Sequence, residues 1–584
     1  MFAFIHLLLG YCALYWAVRR EGCRPSIAML ASSCCNVSGF ALIFSRSWFQ
    51  FSPIFLWTPL MVVCVQELVR GNAGWKWIAA FGATIGMLFH VGHTQMWVYS
   101  VMLIDLVIAL LVVTGIVRAQ ILTACLAAHF AGLAIAAPLL VPQVMATYNL
   151  TRYRESTGIV SGLKGLFIPD SLSPSPHPVG WGEGYHIGEM YYSGTLFMVV
   201  AAVLLLSLLT TRWGKRTAGR NAWFLCALLA FVLALGNRGL LWTGMTYLPG
   251  FNRFRFPFKF LGYVVLFSVI GGAVALERLM RKRRWSERVE VPLVVLTWAV
   301  LAYHCTLCTA AFSIYYFRPF PRPDSNITRR LVPETDLYYP KVLPIRLVDG
   351  QFIEAFPYGG VRSHDPHFVD SFMNQWATVQ GAFSLSGYDP LVSESPAVRG
   401  MVQHISTDTE RALFEYGVTY ILQYDPPDPG RSRPGVMSRW PDATLVYQSG
   451  TVFLSELPAA RPMAFLKDQP EVPLPVKFDG GGATITTSGM PQGGRVVLNM
   501  LWRQEIQSQA NGSELSATAD DWGRIALAVP TGTKEVRVTF RPPWGYGFAL
   551  AGAALFFALA IGWWSLRSQA KVAVLEPEPV DVGQ

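Results

Sequence analysis

Met1-Phe-Ala-Phe-Ile-His-Leu-Leu-Leu-Gly10 opens the chain without a charged residue and runs on to Arg19-Arg20. An apolar stretch of this length closed by cations reads as a membrane span, because a hydrocarbon core of roughly 30 Å asks for about 20 apolar residues in helical form. A cleaved signal peptide is the competing reading. Against it, no basic segment precedes the apolar one, and Arg19, Arg20 and Arg24 lie on its far side. The whole chain has the same character: 52% of its 584 residues are hydrophobic and 14% are charged, which fits an integral membrane protein better than a soluble enzyme.

Working outward, further apolar stretches follow at 26–44, 54–68, 75–90, 95–113, 119–141, 190–209, 222–236, 259–277, 291–313 and 545–566, which with 2–18 make eleven candidate spans. The third and eighth are short enough to be tilted, broken or re-entrant. Lys and Arg collect in cytoplasmic loops. If Arg19, Arg20 and Arg24 are cytoplasmic, strict alternation puts Arg70 and Lys76, Arg118, the group Arg212 to Arg220, the run Arg278 to Arg288, and Arg567 and Lys571 on that same side. The net charge of +10 is then mostly a topology signal, and a nucleic-acid partner is not expected. The same alternation makes Met1 extracytoplasmic.

The opposite side receives the loops 142–189 and 237–258 and the long stretch from Tyr315 to Pro543. That stretch is rich in Pro, Gly, Asp and Ser. It alternates like half-buried strands at Arg495-Val-Val-Leu-Asn-Met-Leu501, Arg524-Ile-Ala-Leu-Ala-Val529 and Glu535-Val-Arg-Val-Thr-Phe540. Ala510-Asn-Gly-Ser513 reads as a hairpin and Pro530-Thr-Gly-Thr533 as a turn. From about 460 onward an antiparallel β-sandwich is expected; before it, strands mix with a helix near Ser395 to Tyr416. The nine cysteines all fall in the membrane part, so the exported region folds without disulfides, which suits a bacterial envelope. The expected fold class is a polytopic α-helical membrane protein of about eleven spans, with an extracytoplasmic α/β plus β-sandwich domain inserted before the last span. Its parts are a multi-span region 1–313, a mixed α/β region 314–459, a β-sandwich region 460–543, a final helix 544–566 and a cytoplasmic tail 567–584.

Several residues have chemistry to offer. His90-Val-Gly-His-Thr-Gln-Met-Trp-Val-Tyr99 places two imidazoles and an amide at the extracytoplasmic end of a helix pair, either as a polar cap or as part of a site. Loop 142–189 carries Glu183, Tyr185 and Glu189. A carboxylate there is placed to act as a base or to hold a hydroxylated substrate, or is simply on the surface. Arg253, Arg255 and Lys259 run against the charge rule, sitting among phenylalanines at the extracytoplasmic face. Guanidinium and ammonium groups at that depth match the oxygens of a lipid phosphate; the alternative is that they snorkel as interfacial anchors. Asp105, near mid-membrane, is expected to face the bundle interior, protonated or paired. His304, Cys305 and Cys308, and His364 with His367, lack a second ligand pair and do not make a metal site.

Taken in order, Trp57-Thr-Pro-Leu60, Gly92-His-Thr-Gln95, Glu189-Met-Tyr-Tyr-Ser-Gly194, Phe254-Arg-Phe-Pro-Phe-Lys259, Ser386-Gly-Tyr-Asp-Pro-Leu391, Gly417-Val-Thr-Tyr-Ile-Leu422 and Arg541-Pro-Pro-Trp544 resemble the motifs of the YfhO-like bacterial membrane proteins, a family within the GT-C glycosyltransferases. Thr94 stands where that family usually has Pro, and Trp502-Arg-Gln-Glu505 with Asn511-Gly512 replaces its usual Trp-x-Ala and Asp-Gly pattern. The resemblance implies transfer of a sugar from a polyprenyl-phosphate carrier to an envelope glycan or lipid at a bacterial cytoplasmic (inner) membrane. It implies catalytic roles for Glu189 and His93, and lipid-phosphate or substrate contacts for Arg253, Arg255, Lys259, Gln95, Glu183 and Tyr185. A divalent cation is compatible with such chemistry, although no residue here requires one. Such enzymes place an acidic residue in a first extracytoplasmic loop, which on this topology is expected ahead of Met1. Two other readings stay open: a non-catalytic envelope scaffold or binding protein, and a transporter, which would call for internal repeats that the sequence does not display.

Overall fold

The computed structural model describes residues 2–36, 38, 40–41, 49–71, 74–148, 150–151, 221–236, 240–248, 251, 254, 257–282, short pieces between 290 and 393, 396–424, 442–449, 452–479, 482–487, 493–503, 505–540 and 544–575. Its first part is helical: α1 (Phe2–Arg20), α2 (Pro25–Asn36), α3 (Ile54–Val69), α4 (Trp75–Val91), α5 (Thr94–Val113), α6 (Ile121–Tyr148), α7 (Ala222–Ala234), α8 (Leu240–Met245) and α9 (Leu261–Lys282). Among the described residues five helices are long and apolar enough to cross a membrane, at Phe2–Arg20, Thr94–Val113, Ile121–Met145, Leu261–Lys282 and Trp544–Arg567, with shorter apolar helices at Ile54–Val69 and Ala222–Ala234. The chain is a multi-pass membrane protein. The expected span at 190–209 and most of that at 291–313 lie outside the described residues.

Small residues set the close helix crossings. A Cβ at Gly132 of α6 would lie 2.6 Å from Ile85 Cγ2 and 3.1 Å from the Gly82 carbonyl of α4, and one at Gly10 of α1 would lie 2.6 Å from the Phe55 carbonyl of α3. Lipid tails are as apolar as leucine, so such backbone approach and its dispersion energy supply much of the association.

One end of the bundle is tied by ions. Buried Glu67, at the end of α3, holds Arg20 of α1 and Arg70. Glu277, near the end of α9, takes the Arg24 backbone N–H at 2.9 Å and the Arg281 side chain at 2.7 Å. Glu21 accepts from Gln66 Nε2 at 2.7 Å and from Trp223 Nε1 of α7 at 2.9 Å. Arg20 and Arg24 are therefore paired across helices, while Arg70 and Arg281 pair with a carboxylate one turn back; with the arginines a quarter to two thirds exposed, each such pair contributes on the order of 1 kcal/mol.

Three expectations are corrected here. The stretch 26–44 does not continue as one helix: α2 stops at Asn36, where the Asn36 amide bonds the Ser32 carbonyl at 3.0 Å and Ser38 Oγ bonds that of Cys35 at 2.7 Å. Short polar side chains there compete with the helical ladder. α6 runs past 141, through Pro138 and Pro142, to Tyr148, with His90 Nε2 donating to the Ile135 carbonyl at 2.8 Å beside the turn that Pro138 disrupts. Asp105 is paired, 3.0 Å from His129 of α6, yet its side chain is 46% exposed. The buried face of α5 runs through Gln95, Tyr99, Leu103 and Val107, and Asp105 falls beside it on the flank of the bundle.

The later part is built of sheets. A mixed sheet orders Gln351–Glu354, Lys341–Val348, Val418–Tyr424, Val452–Glu456 and Thr444–Ser449, with Phe383–Ser384 added parallel to Lys341–Val348. The expected helix at 395–416 is two, α10 (Pro396–Thr407) and α11 (Thr409–Glu415), because Asp408 caps the second by accepting from the Arg411 N–H at 3.2 Å. Two five-stranded antiparallel sheets follow between 464 and 540, and their inner faces share one core that includes Val476, Ile485, Val496, Leu498, Ile525, Leu527, Val536 and Val538. The strands read at 495–501, 524–529 and 535–540 are all present. Ala510 pairs with Ser513 across Asn511 (φ 48°) and Gly512 (φ 81°), the positive-φ pair that a two-residue hairpin turn requires. α12 (Trp544–Leu575) then returns along α6, Thr123 Oγ1 lying 2.9 Å from Ser565 Oγ.

A buried polar joint binds the mixed sheet to the sandwich. Lys341 Nζ donates to the Tyr416 carbonyl at 2.8 Å and to that of Asn499 at 2.5 Å, while Arg524 reaches the Glu415 carbonyl at 2.7 Å and Asp520 Oδ2 at 2.8 Å. Burial, reinforced by the Arg524 charge, pushes the Lys341 ammonium down to about 7 from 10.5. Between those values the unfolded chain binds the extra proton, so stability of this joint rises with pH from about 7 to 10.5, by at most ~1.4 kcal/mol per unit. Lys341→Met is expected to flatten that slope, as read by calorimetry of the sheet-region transition in the full chain at pH 7, 8 and 9.

Candidate functional site

At the end of the bundle away from the Arg–Glu pairs, three helices begin side by side. α3 is entered through a 3-10 turn at Phe49–Phe51, α5 through His93, and α9 through a 3-10 turn at Pro257–Phe260. His93 is the N-cap of α5, its Nδ1 accepting the Gln95 backbone N–H at 3.1 Å. The cap was legible in the sequence as the Gly-His-Thr turn between two apolar runs.

Lys259 sits where these starts meet. It is 3% exposed, and its Nζ donates to Gln95 Oε1 at 3.0 Å and lies 4.7 Å from the centre of the Phe51 ring. Phe51 in turn packs on His93, ring centres 5.1 Å apart. Gln95, 1% exposed, sends its Nε2 to the Tyr99 hydroxyl at 2.7 Å. Tyr99 stacks on Phe260 at 3.8 Å and meets Phe254 and Trp242 edge-on. Three residues singled out in the sequence, His93, Gln95 and Lys259, are thus in one cluster although 164 positions separate Gln95 from Lys259. Glu183, Tyr185, Glu189, Arg253 and Arg255 lie outside the described residues.

Beneath the cluster, hydroxyl groups cross the bundle in a directed chain. Tyr263 OH, one turn along from Lys259, donates to the Met96 carbonyl at 2.6 Å. With that proton committed, Ser100 Oγ donates to Tyr263 OH at 2.8 Å, and Thr58 Oγ1 to Ser100 Oγ at 3.0 Å. The chain joins α3, α5 and α9 directly below their starts. Thr58 and Tyr99 lie in stretches quoted above without a role of their own, and Ser100 and Tyr263 are not singled out in the sequence. The one available signal was their being hydroxyl-bearing positions on otherwise apolar helices.

Two features of the cluster carry positive charge. Each helix start carries the positive end of its peptide dipoles, and a cation placed there is disfavoured by ~0.3–1 kcal/mol per helix. A lysine buried among three such ends adds its charge to theirs, a combination that favours an oxyanion. The Gln95 oxygen and the Phe51 π-face offset part of the cost of burying the ammonium. Among the described residues no group of three or more His, Cys, Asp or Glu side chains is placed to hold a metal ion.

No protein-family model and no curated protein matches this chain. Among solved structures it is similar to arabinofuranosyltransferase AftD from Mycobacteria, at 12% identity and a TM-score of 0.44 over 91% of this chain and 50% of that one. A mutant form of the same mycobacterial protein gives 11% identity and a TM-score of 0.43, over 92% of this chain and 53% of the other. The chain spans about half the length of these solved structures.

Tyr263→Phe is expected to destabilise the bundle by ~1–3 kcal/mol, since it leaves Ser100 Oγ short of its buried acceptor. Thermal unfolding of the full chain in detergent checks this. The Tyr263→Phe/Ser100→Ala double variant should lose less than the sum of the two singles, because both break the same chain.

Proposed function

We propose that this protein is a membrane glycosyltransferase of the GT-C type, which takes a sugar from a polyprenyl-phosphate carrier and transfers it to an envelope glycan or lipid on the extracytoplasmic side. The observation that carries the reading is the burial of Lys259 among three helix starts, hydrogen-bonded to Gln95. His93, Gln95 and Lys259 also come from two of the motifs that resemble YfhO-like proteins, which is the same reading reached from the sequence.

The charge distribution supports the sidedness. The Arg20, Arg24, Arg70 and Arg281 end of the bundle is the basic end and takes the cytoplasmic side. Lys259 and His93 sit at the other end, where a lipid-linked donor would present its phosphate.

In this reading the acceptor hydroxyl oxygen attacks the anomeric carbon, and the bond from that carbon to the phosphate oxygen breaks. The hydroxyl proton passes to a carboxylate base, the role assigned to Glu189, with His93 making a polar contact at the transfer site. Polyprenyl phosphate departs carrying the bond's electron pair, its growing charge met by Lys259 together with Arg253 and Arg255. Glu183 and Tyr185 contact the sugar or acceptor, and the sheet region recognises the acceptor polymer.

Lys259→Met in the full chain, reconstituted in neutral phosphatidylcholine nanodiscs, is expected to bind a polyprenyl phosphate about 10- to 100-fold more weakly, the weight of one charge-assisted hydrogen bond. Transfer of labelled sugar from a polyprenyl-phosphate donor should fall with it. Undiminished binding by the variant would overturn the assignment, and binding without transfer by the wild-type chain would point to a non-catalytic carrier-binding protein.

A further inference from the structure

We infer that Tyr99 is a positioning residue for the anion site: its hydroxyl holds the Gln95 amide so that the amide oxygen faces Lys259, and thereby fixes where the ammonium points. The inference rests on the proposed role of Lys259 and extends it to a residue that does not touch the ligand.

The geometry is a relay of two bonds. Gln95 Nε2 donates to Tyr99 OH at 2.7 Å, and Gln95 Oε1 accepts from Lys259 Nζ at 3.0 Å. The two ends of one amide are thereby committed to different partners, and the opposite arrangement would turn the NH2 group toward an ammonium. Gln95 and Tyr99 are one turn apart on α5, so the helix itself sets their spacing. Both are essentially inaccessible, at 1% and 0% exposure, and an amide donor left unfilled at such depth cannot turn to water.

Tyr99 is itself held in place. Its ring stacks on Phe260 at 3.8 Å with the planes 16° apart, and Phe260 is the residue next to Lys259. Trp242 and Phe254 meet it edge-on at 6.4 and 5.7 Å. The aromatic cage fixes the phenol ring, the phenol fixes the amide, and the amide fixes the ammonium. Lysine has four rotatable side-chain bonds, so the second and third links, together with the Phe51 ring 4.7 Å from Nζ, narrow the directions a buried cation can take.

Removing the hydroxyl alone tests this, because phenylalanine keeps the ring and its stacking. In the full chain in neutral nanodiscs, Tyr99→Phe is expected to weaken polyprenyl-phosphate binding about five- to tenfold, the equilibrium weight of one ordinary hydrogen bond. Placed on Gln95→Met, which removes the amide through which Tyr99 acts, the same substitution should change binding by less than about twofold. Gln95→Met alone should weaken binding at least as much as Tyr99→Phe, and this arm stands even where the tyrosine variant folds poorly. Equal weakening by Tyr99→Phe in both backgrounds would show that Tyr99 acts by packing and would overturn the inference, as would wild-type binding by Tyr99→Phe or by Gln95→Met. If Lys259→Met binds as wild type, the anion site itself falls; if that variant fails to bind while Tyr99→Phe binds normally, the positioning role alone falls.

Discussion

The ionic closure at one end of the bundle is the constraint on which the membrane part depends. Glu67 and Glu277 each gather arginines from more than one segment, and by doing so they bring the finishing ends of α1, α3 and α9 together. Once those ends are fixed, the direction of each helix is fixed. α3 and α9 must start at the far end, where α5 starts after its turn at His93. Three helix starts thus cluster at the end opposite these charge pairs, held together by the apolar core between.

Those three starts give the far end its chemistry. An ammonium buried among helix starts is costly unless oxygen atoms and π-faces surround it, and Gln95 and Phe51 supply both. The hydroxyl chain of Thr58, Ser100 and Tyr263 lies immediately below and ties the same three helices laterally. The polar residues of this end therefore divide into those gathered around Lys259 and those that tie the helices together below it. The sheet region uses the same device: Lys341, Arg524, Glu415 and Asn499 form a buried joint between two sheets with different strand arrangements. Gly417 is required there, at φ 72°, because a Cβ would lie 2.7 Å from both the Arg461 carbonyl and Asn499 Nδ2.

A substantial part of the architecture is legible in the sequence. Apolar runs closed by cations located α1, α3, α4, α5, α7, α9 and α12 to within a few residues at most of their starts, because a helix in lipid must satisfy its backbone internally over a fixed thickness. Period-two alternation and an Asn-Gly turn located the sandwich strands. The misreadings have local causes. Asn36 and Ser38 ended a helix that hydropathy alone would prolong, and prolines that usually mark an end were carried inside α6. Asp105 met its partner from the flank, since hydropathy does not report which face of α5 packs inward.

The sequence by itself determined a membrane protein with a late sheet region, and it singled out His93, Gln95 and Lys259 as residues out of keeping with their surroundings. Composition, charge asymmetry and periodicity are local quantities, and each of those conclusions needs only local information. That Gln95 and Lys259 share a hydrogen bond, that Tyr99 completes it, and that Tyr263 braces the helices beneath was decided by tertiary structure alone. Those contacts join helix positions far apart in the chain, and they depend on which helices neighbour one another, in which direction and at what depth. These are properties of packing and charge pairing across the bundle, on which the residue types along any single helix are silent.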